Sequence, residues 1–179
     1  MTEKPINVVL DADEAKRAIK RIAAELLERN KGPEGLAVIG IESGGVPLAR
    51  RITAEMEGSG AADIPSGTLD ITLYRDDFSQ ISELPVVGET HIEFPVEKHN
   101  IILVDDVLFT GRTVRAAIDN IYDLGRPRRI QLAVLADRGG RELPIQPDFL
   151  GTTVEVADDE YVDVVFDDNK VRVMVFKKG

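Results

Sequence analysis

Apolar and polar positions along this chain switch repeatedly between a helical period and short unbroken apolar runs, and each switch marks an element. Ile6 to Leu10 reads as a short strand. Asp11-Ala-Asp-Glu14 then has the spacing of a capping box, with Asp11 as N-cap and Glu14 three residues on. Ala15, Ala18, Ile19, Ile22, Ala23, Leu26 and Leu27 recur at helical spacing, and Gly32 and Pro33 stop that helix. Leu36 to Ile41 predicts a buried strand, Ser43-Gly44-Gly45 a tight loop and Pro47 to Met56 a second helix. Residues 57–66 form a Gly/Ser/Ala-rich loop, and Thr68 to Tyr74 alternates loosely as a strand would. From Arg75 to Thr90 the chain is polar and aperiodic, the pattern of a mobile functional loop, with His91 to Phe94 as its returning strand. Strand Ile101 to Val104, helix Thr113 to Leu124 and strand Ile130 to Ala136 follow. Short strands near 149–154, 161–166 and 171–176 close the chain, the last two joined by a hairpin turn at Asp167-Asp-Asn-Lys170.

This alternation predicts an α/β fold with a mostly parallel sheet and helices on both faces. No repeat, low-complexity tract or linker interrupts it, so residues 1–179 are read as one domain. Ligands in such sheets sit outside the carboxyl ends of the strands. The loops after Ile41, Val104 and Ala136 are therefore the candidates.

Composition narrows the function classes. With no cysteine, disulfides and thiolate metal sites are excluded and a cytosolic home is expected. Two histidines, His91 and His99, make a multi-histidine metal centre implausible and are given no role. No apolar run approaches the roughly 18 residues of a membrane span, and the first five residues lack a signal-peptide pattern. A net charge of −10 disfavours nonspecific attraction to nucleic acid or anionic membrane, though a local basic patch survives it.

The chemistry concentrates in Ile101-Ile-Leu-Val-Asp-Asp-Val-Leu-Phe-Thr-Gly-Arg-Thr113. A buried strand ends in two carboxylates, Asp105 and Asp106, and a small-residue loop opens a helix. Such a loop aims main-chain N–H groups and the positive end of a helix dipole at an anion. Carboxylates repel phosphate, so their presence beside the loop calls for sugar hydroxyls or a divalent cation. The spacing points to a phosphorylated sugar, hydroxyls on the acids and phosphate on the loop.

This segment resembles the phosphoribosyl pyrophosphate (PRPP) signature of type I phosphoribosyltransferases. Leu69-Asp-Ile-Thr-Leu-Tyr-Arg-Asp-Asp77, Asp123-Leu-Gly-Arg-Pro127, Gln131-Leu-Ala-Val-Leu135 and Asp137-Arg-Gly-Gly-Arg-Glu-Leu-Pro-Ile145 narrow the resemblance to the PyrR family, from about Ala12 to Gly151. These are bifunctional pyrimidine-operon attenuators and uracil phosphoribosyltransferases. The resemblance implies the type I fold with a small hood and a flexible loop. It implies the reaction of uracil with PRPP to UMP and diphosphate, with Mg2+ held mainly by substrate and water, and with Asp105, Asp106 and Asp137 as its nearest protein carboxylates. Asp105 and Asp106 would grip the ribose, and Val107, Leu108, Phe109, Thr110, Gly111, Arg112 and Thr113 would form the nucleotide loop.

Ser43, Gly44 and Gly45 stand at the family's pyrophosphate loop, although the same residues also suit an ordinary strand-to-helix turn. Gly44 replaces an arginine of the family pattern, which removes a cationic contact and implies weaker PRPP binding or slower turnover. Arg75 would reach the leaving pyrophosphate from the 75–90 loop. Asp137 would lie near the metal waters and Arg138 near the base or pyrophosphate; a structural ion pair between the two fits the sequence as well.

The family also binds a hairpin in its operon's mRNA leader. Lys16, Arg17, Lys20 and Arg21 share one side of the first helix, which suits either RNA phosphates or plain solvation, and Arg141 matches the family's RNA surface. Ala24, Gly140, Gln146 and Thr152 replace cationic or histidine residues there, and Glu155-Val-Ala-Asp-Asp-Glu160 replaces the family's Pro-Thr-Ser-Arg-Ser-Glu tail. The competing functions are a nucleotide-sensing RNA regulator with little turnover and a transferase for another base, such as a purine. A homodimer or higher homo-oligomer is expected, and no membrane partner.

Overall fold

The computed structural model describes residues 4–72 and 89–179. Arg75 and most of the expected 75–90 loop lie outside the described residues. Strand β1 (Asn7–Leu10) leads into helix α1 (Ala12–Asn30), then β2 (Leu36–Ile41), α2 (Gly45–Gly58) and β3 (Ser66–Leu69). Further along come β4 (Asn100–Leu108), α3 (Arg112–Leu124), β5 (Arg129–Asp137), β6 (Phe149–Thr153), β7 (Glu160–Asp167) and β8 (Lys170–Lys177).

The capping box at the start of α1 is formed. Asp11 Oδ1 accepts from the N–H groups of Asp13 at 3.0 Å and Glu14 at 2.8 Å, and Glu14 Oε2 accepts from the Asp11 N–H at 2.9 Å. Helix α2 begins two residues before Pro47. That residue sits in the first turn, where its missing N–H would have had no helical partner. Strand β3 is shorter than its sequence pattern, because the Asp70 carboxylate accepts the Thr72 N–H at 2.9 Å and turns the chain. The expected strand at His91–Phe94 is reduced to a single antiparallel bridge between Thr68 and His91.

The main sheet has five strands in the order β3-β2-β4-β5-β6, all parallel. Strand residues alternate between its faces. Leu36, Val38, Ile102, Val104, Ala133 and Leu135 pack with α1 and α2, whereas Ala37, Ile39, Ile101, Leu103, Leu132 and Val134 pack with α3. Alternation that buries both faces is what a helix-covered parallel sheet requires. Strands β1, β8 and β7 make a separate antiparallel sheet whose Val162, Val164, Val171, Val173 and Val175 join the α1–α2 core. This small sheet is the hood expected from the sequence.

The order of the main sheet reverses between β2 and β4. The loops leaving those two neighbours run to opposite sides and open a crevice at their carboxyl ends.

Candidate functional site

Parallel pairing of β2 with β4, Gly40 opposite Val104, brings residues 43–45 against residues 105–106. Gly45 shows how close the approach is: a Cβ there would stand 2.2 Å from the Val104 carbonyl oxygen. The Glu42–Ser43 peptide that enters this loop is cis.

Strand β4 does not end before the acids. It runs on through Asp105 and Asp106 to Leu108, with Asp105 opposite Val134 and Leu108 opposite Asp137 on β5. The pair is thus fixed by sheet pairing. Asp105 is buried, and its Oδ1 accepts the Asp106 N–H at 3.0 Å. Burial pushes its carboxyl well above the usual range, and the neighbouring Asp106 charge adds to the effect. Asp106 is more open, with Oδ1 accepting the Val107 N–H at 2.9 Å. The two acids are chemically unequal: one favours a proton, the other stays available to a cation or a hydroxyl.

Phe109, Thr110 and Gly111 turn the chain into α3. Gly111 is its N-cap at φ 91°, a left-handed value that glycine tolerates. Gly111 itself supplies no capping side chain; Thr110 Oγ1 accepts the Arg112 N–H at 3.2 Å, so a hydroxyl and main-chain N–H groups meet at this helix start. A cavity of about 100 Å³ lies here, lined by Asp105, Val107 to Gly111, Thr113 and Val114. That volume suits a phosphoryl group and falls below the roughly 300 Å³ of a whole small-molecule site. A larger cavity of about 650 Å³, lined by Lys16, Arg51, Glu55 and Asp168 among others, lies between α1, α2 and the β7–β8 turn. Its mixed charges hold no catalytic constellation, so chemistry and not size selects the smaller one.

The segment after β5 supports the loop. Arg138 N–H donates to the Leu108 carbonyl at 3.0 Å, and Glu142 N–H to the Thr110 carbonyl at 2.9 Å. Arg112 does not line the cavity; its Nε donates to Glu142 at 2.7 Å and its main-chain N–H to Thr110 Oγ1 at 3.2 Å.

Several residues stand differently from their sequence reading. Asp137 does not pair with Arg138. Its carboxylate takes Arg141 Nη2 and the Gly139 N–H. Partial burial pulls the Asp137 pKa upward, but the Arg141 guanidinium and that N–H outweigh it and hold the carboxyl below its ordinary range. Arg138 stacks on Phe109 with its guanidinium carbon 3.8 Å from the ring centroid. Gly140 makes room for that ring, since a Cβ there would lie 2.5 Å from Phe109 Cε2.

Arg141, expected on an RNA surface, is instead turned inward. It donates to the Ile145 carbonyl at 2.7 Å, the Phe109 carbonyl at 2.8 Å and Gln146 Oε1 at 3.3 Å, in addition to Asp137. Arg21 is also engaged, with the Leu150 carbonyl at 3.0 Å and the Gly151 carbonyl at 2.7 Å. Lys16, Arg17 and Lys20 remain exposed on α1. Sequence reading missed the bracing roles of Arg141 and Glu142. The signal was there in Asp137-Arg-Gly-Gly-Arg141, where two glycines at φ 68° and 74° fold the chain so that residue 141 meets residue 137.

Comparison with known proteins agrees with this arrangement. The family model described as the phosphoribosyl transferase domain matches residues 6–169. Proteins named bifunctional protein PyrR are similar over most of the chain. That of Geobacter sulfurreducens is 56% identical over 160 residues, 89% of this chain and 90% of its own. That of Deinococcus deserti is 54% identical over 160 residues, 89% and 87% of the two chains. The chain belongs to the PyrR family of phosphoribosyl transferase domains. Among solved structures, the hypoxanthine phosphoribosyltransferase of Trypanosoma cruzi superposes with a TM-score of 0.74 at 17% identity, covering 95% of each chain. A hypoxanthine-guanine phosphoribosyltransferase of Bacillus anthracis gives 0.71 at 16% identity over 89% and 88%. These distant structures share the fold of the family. No helix among the described residues is long and apolar enough to cross a membrane.

Proposed function

We propose that this protein transfers the phosphoribosyl group of PRPP to uracil, giving UMP and diphosphate. The observation that carries the reading is the meeting of Asp105 and Asp106 with the start of α3 at the sheet's reversal point. Breaking the bond between ribose C1 and pyrophosphate leaves positive character on the ring and a highly charged leaving group. The two acids would take the ribose hydroxyls, with the open Asp106 favouring that positive character, while the loop of residues 110–113 holds the 5′-phosphate in place.

Among the described residues no group of three or more His, Asp or Glu is arranged to hold a metal. The adjacent carboxylates, one of them open, fit a hard divalent cation that takes most of its ligands from substrate and water. Asp106, with Asp105 behind it, would hold Mg2+, which would neutralise charge on the leaving diphosphate. Asp137 is engaged by Arg141 and serves first as a brace.

A second role in binding RNA is supported by the exposed Lys16, Arg17 and Lys20 and by the word bifunctional in the relatives' names. A pyrimidine-operon mRNA leader hairpin would be the partner and UMP the signal. Against it stand the engaged Arg21 and Arg141 and the tail acids, of which Asp159 pairs with Lys177 at 3.2 Å. The test of the enzyme is diphosphate release from PRPP and Mg2+ with uracil, hypoxanthine and guanine in parallel. Release with uracil alone is expected; release with a purine instead overturns the assignment of the base.

A further inference from the structure

Backbone geometry does not require glycine at position 44. Gly44 has φ −70° and ψ −29°, right-handed values open to any residue. Space requires it. A Cβ built on Gly44 would stand 1.9 Å from Asp106 Oδ2 and 2.3 Å from Asp106 Cγ. The Asp106 carboxylate therefore rests against the Gly44 main chain and fills the volume any other side chain would take. Gly44 is also the N-cap of α2, which has no side-chain cap. A negative group is thus already seated beside the positive end of α2.

We propose that Gly44 is a positioning residue for Asp106: it seats the Asp106 carboxylate at the first turn of α2, where, without a divalent cation between them, it competes with pyrophosphate and tilts the site toward nucleoside monophosphate over PRPP. This rests on the reading of residues 43–45 as the pyrophosphate cradle. A nucleoside monophosphate places its one phosphoryl group on residues 110–113 and leaves that cradle alone. A pyrophosphate group must enter it against the like charge of Asp106. The effect is distinct from the missing arginine: the cradle lacks a cation and also holds an anion of its own.

The test is calorimetric titration of the full chain with inorganic pyrophosphate in EDTA, and separately with UMP. The proteins are wild type, Gly44→Ala, which displaces the carboxylate without changing charge, and Asp106→Asn, which keeps its shape without the charge. Pyrophosphate affinity is expected to rise in both, by about tenfold for Asp106→Asn, the order of one removed like charge. UMP affinity of Gly44→Ala is expected to fall, because the displaced carboxylate loosens its hold on the ribose; a rise for pyrophosphate beside a fall for UMP is a pair of changes that a general loosening of the fold would not give. Pyrophosphate affinity unchanged or lowered in either variant overturns the proposal. Should Gly44→Ala alone fail to fold, the double variant Gly44→Ala/Asp106→Ala, which removes the clashing atoms, must fold; its failure would also overturn it. Wild-type protein that takes up no UMP refutes the nucleotide reading instead, a result independent of the pyrophosphate comparison.

Discussion

The guanidinium of Arg141 holds the main chain of Phe109, its Nη1 donating to the Phe109 carbonyl at 2.8 Å. The same group reaches the Ile145 carbonyl and the Asp137 carboxylate, so one side chain ties the nucleotide loop to the end of β5 and the segment after it. Only 15% of the Arg141 side chain is exposed. Replacing it with methionine leaves Asp137 and two carbonyls without this donor. Arg141→Met should cost about 3 kcal/mol in urea unfolding. It should weaken UMP more than uridine in calorimetry, because the loop it holds faces the phosphate. Equal losses for the two ligands would assign Arg141 a purely structural part.

Asp105 makes a claim about pH. Its carboxyl lies well above the ordinary range because it is buried, with Asp106 adding repulsion. The folded state therefore binds this proton more readily than the unfolded state. Stability falls as pH rises from the unfolded value of about 3.9 through the raised folded value. Asp105→Asn should remove that fall and raise stability at pH 8. The same variant should lose UMP affinity. Melting temperatures across pH 4 to 8, compared with wild type, check the first outcome; a variant that is less stable at pH 8 contradicts it.

Asp137 behaves in the opposite sense. Arg141 and the Gly139 N–H hold its carboxyl below the ordinary range despite its partial burial. Its contribution is present above the unfolded value and is lost as pH falls through the lowered folded value. Asp137→Asn should lower stability at pH 7 while leaving the acid limb of the stability curve shallower than in wild type. Acid titration followed by circular dichroism distinguishes the two slopes.

Gly45 is constrained by main chain and not by a movable side chain. A Cβ there meets the Val104 carbonyl at 2.2 Å, and neither β2 nor β4 can yield without breaking sheet pairing. Gly45→Ala should destabilise by about 3 kcal/mol, the upper range for overpacking. Gly58 is a control, because nothing lies within 4 Å of a Cβ at that helical position. Gly58→Ala should be neutral or stabilising by about 0.5 kcal/mol. Denaturant melts of the two variants give the contrast directly.

For RNA, the exposed cations of α1 carry the prediction. Changing Lys16, Arg17 and Lys20 to glutamine should flatten the dependence of log K on log salt by about 0.7 for each phosphate no longer neutralised. Filter binding to a pyrimidine-leader hairpin across salt concentrations, with and without UMP, measures this. An unchanged slope would move the RNA surface elsewhere or remove it.

Elements with strong periodicity were legible in the sequence. The apolar face of α1 and its capping box, the six residues of β2 and the start of α3 all follow from local chemistry. The site was legible where main chain shapes it, as at Thr110-Gly111. It was less so where side chains choose partners across the fold. Asp137 met Arg141 and not Arg138 because two left-handed glycines reverse the chain between them. The extension of β4 through its acids was hidden because polar residues at a strand's end look like a loop, and only the ladder to β5 reveals the pairing. The shortening of β3 likewise turned on one carboxylate, that of Asp70.

The antiparallel sheet has a further consequence for how the molecule is made. Asn7 pairs with Val175, so β1 waits for β8 before it gains its hydrogen bonds. The parallel sheet can assemble from segments nearer in sequence, but closing the hood joins segments far apart in sequence, a slow kind of contact. During synthesis Ile6 and Val8, both exposed apolar residues, gain this strand partner only after residues 173–175 have emerged.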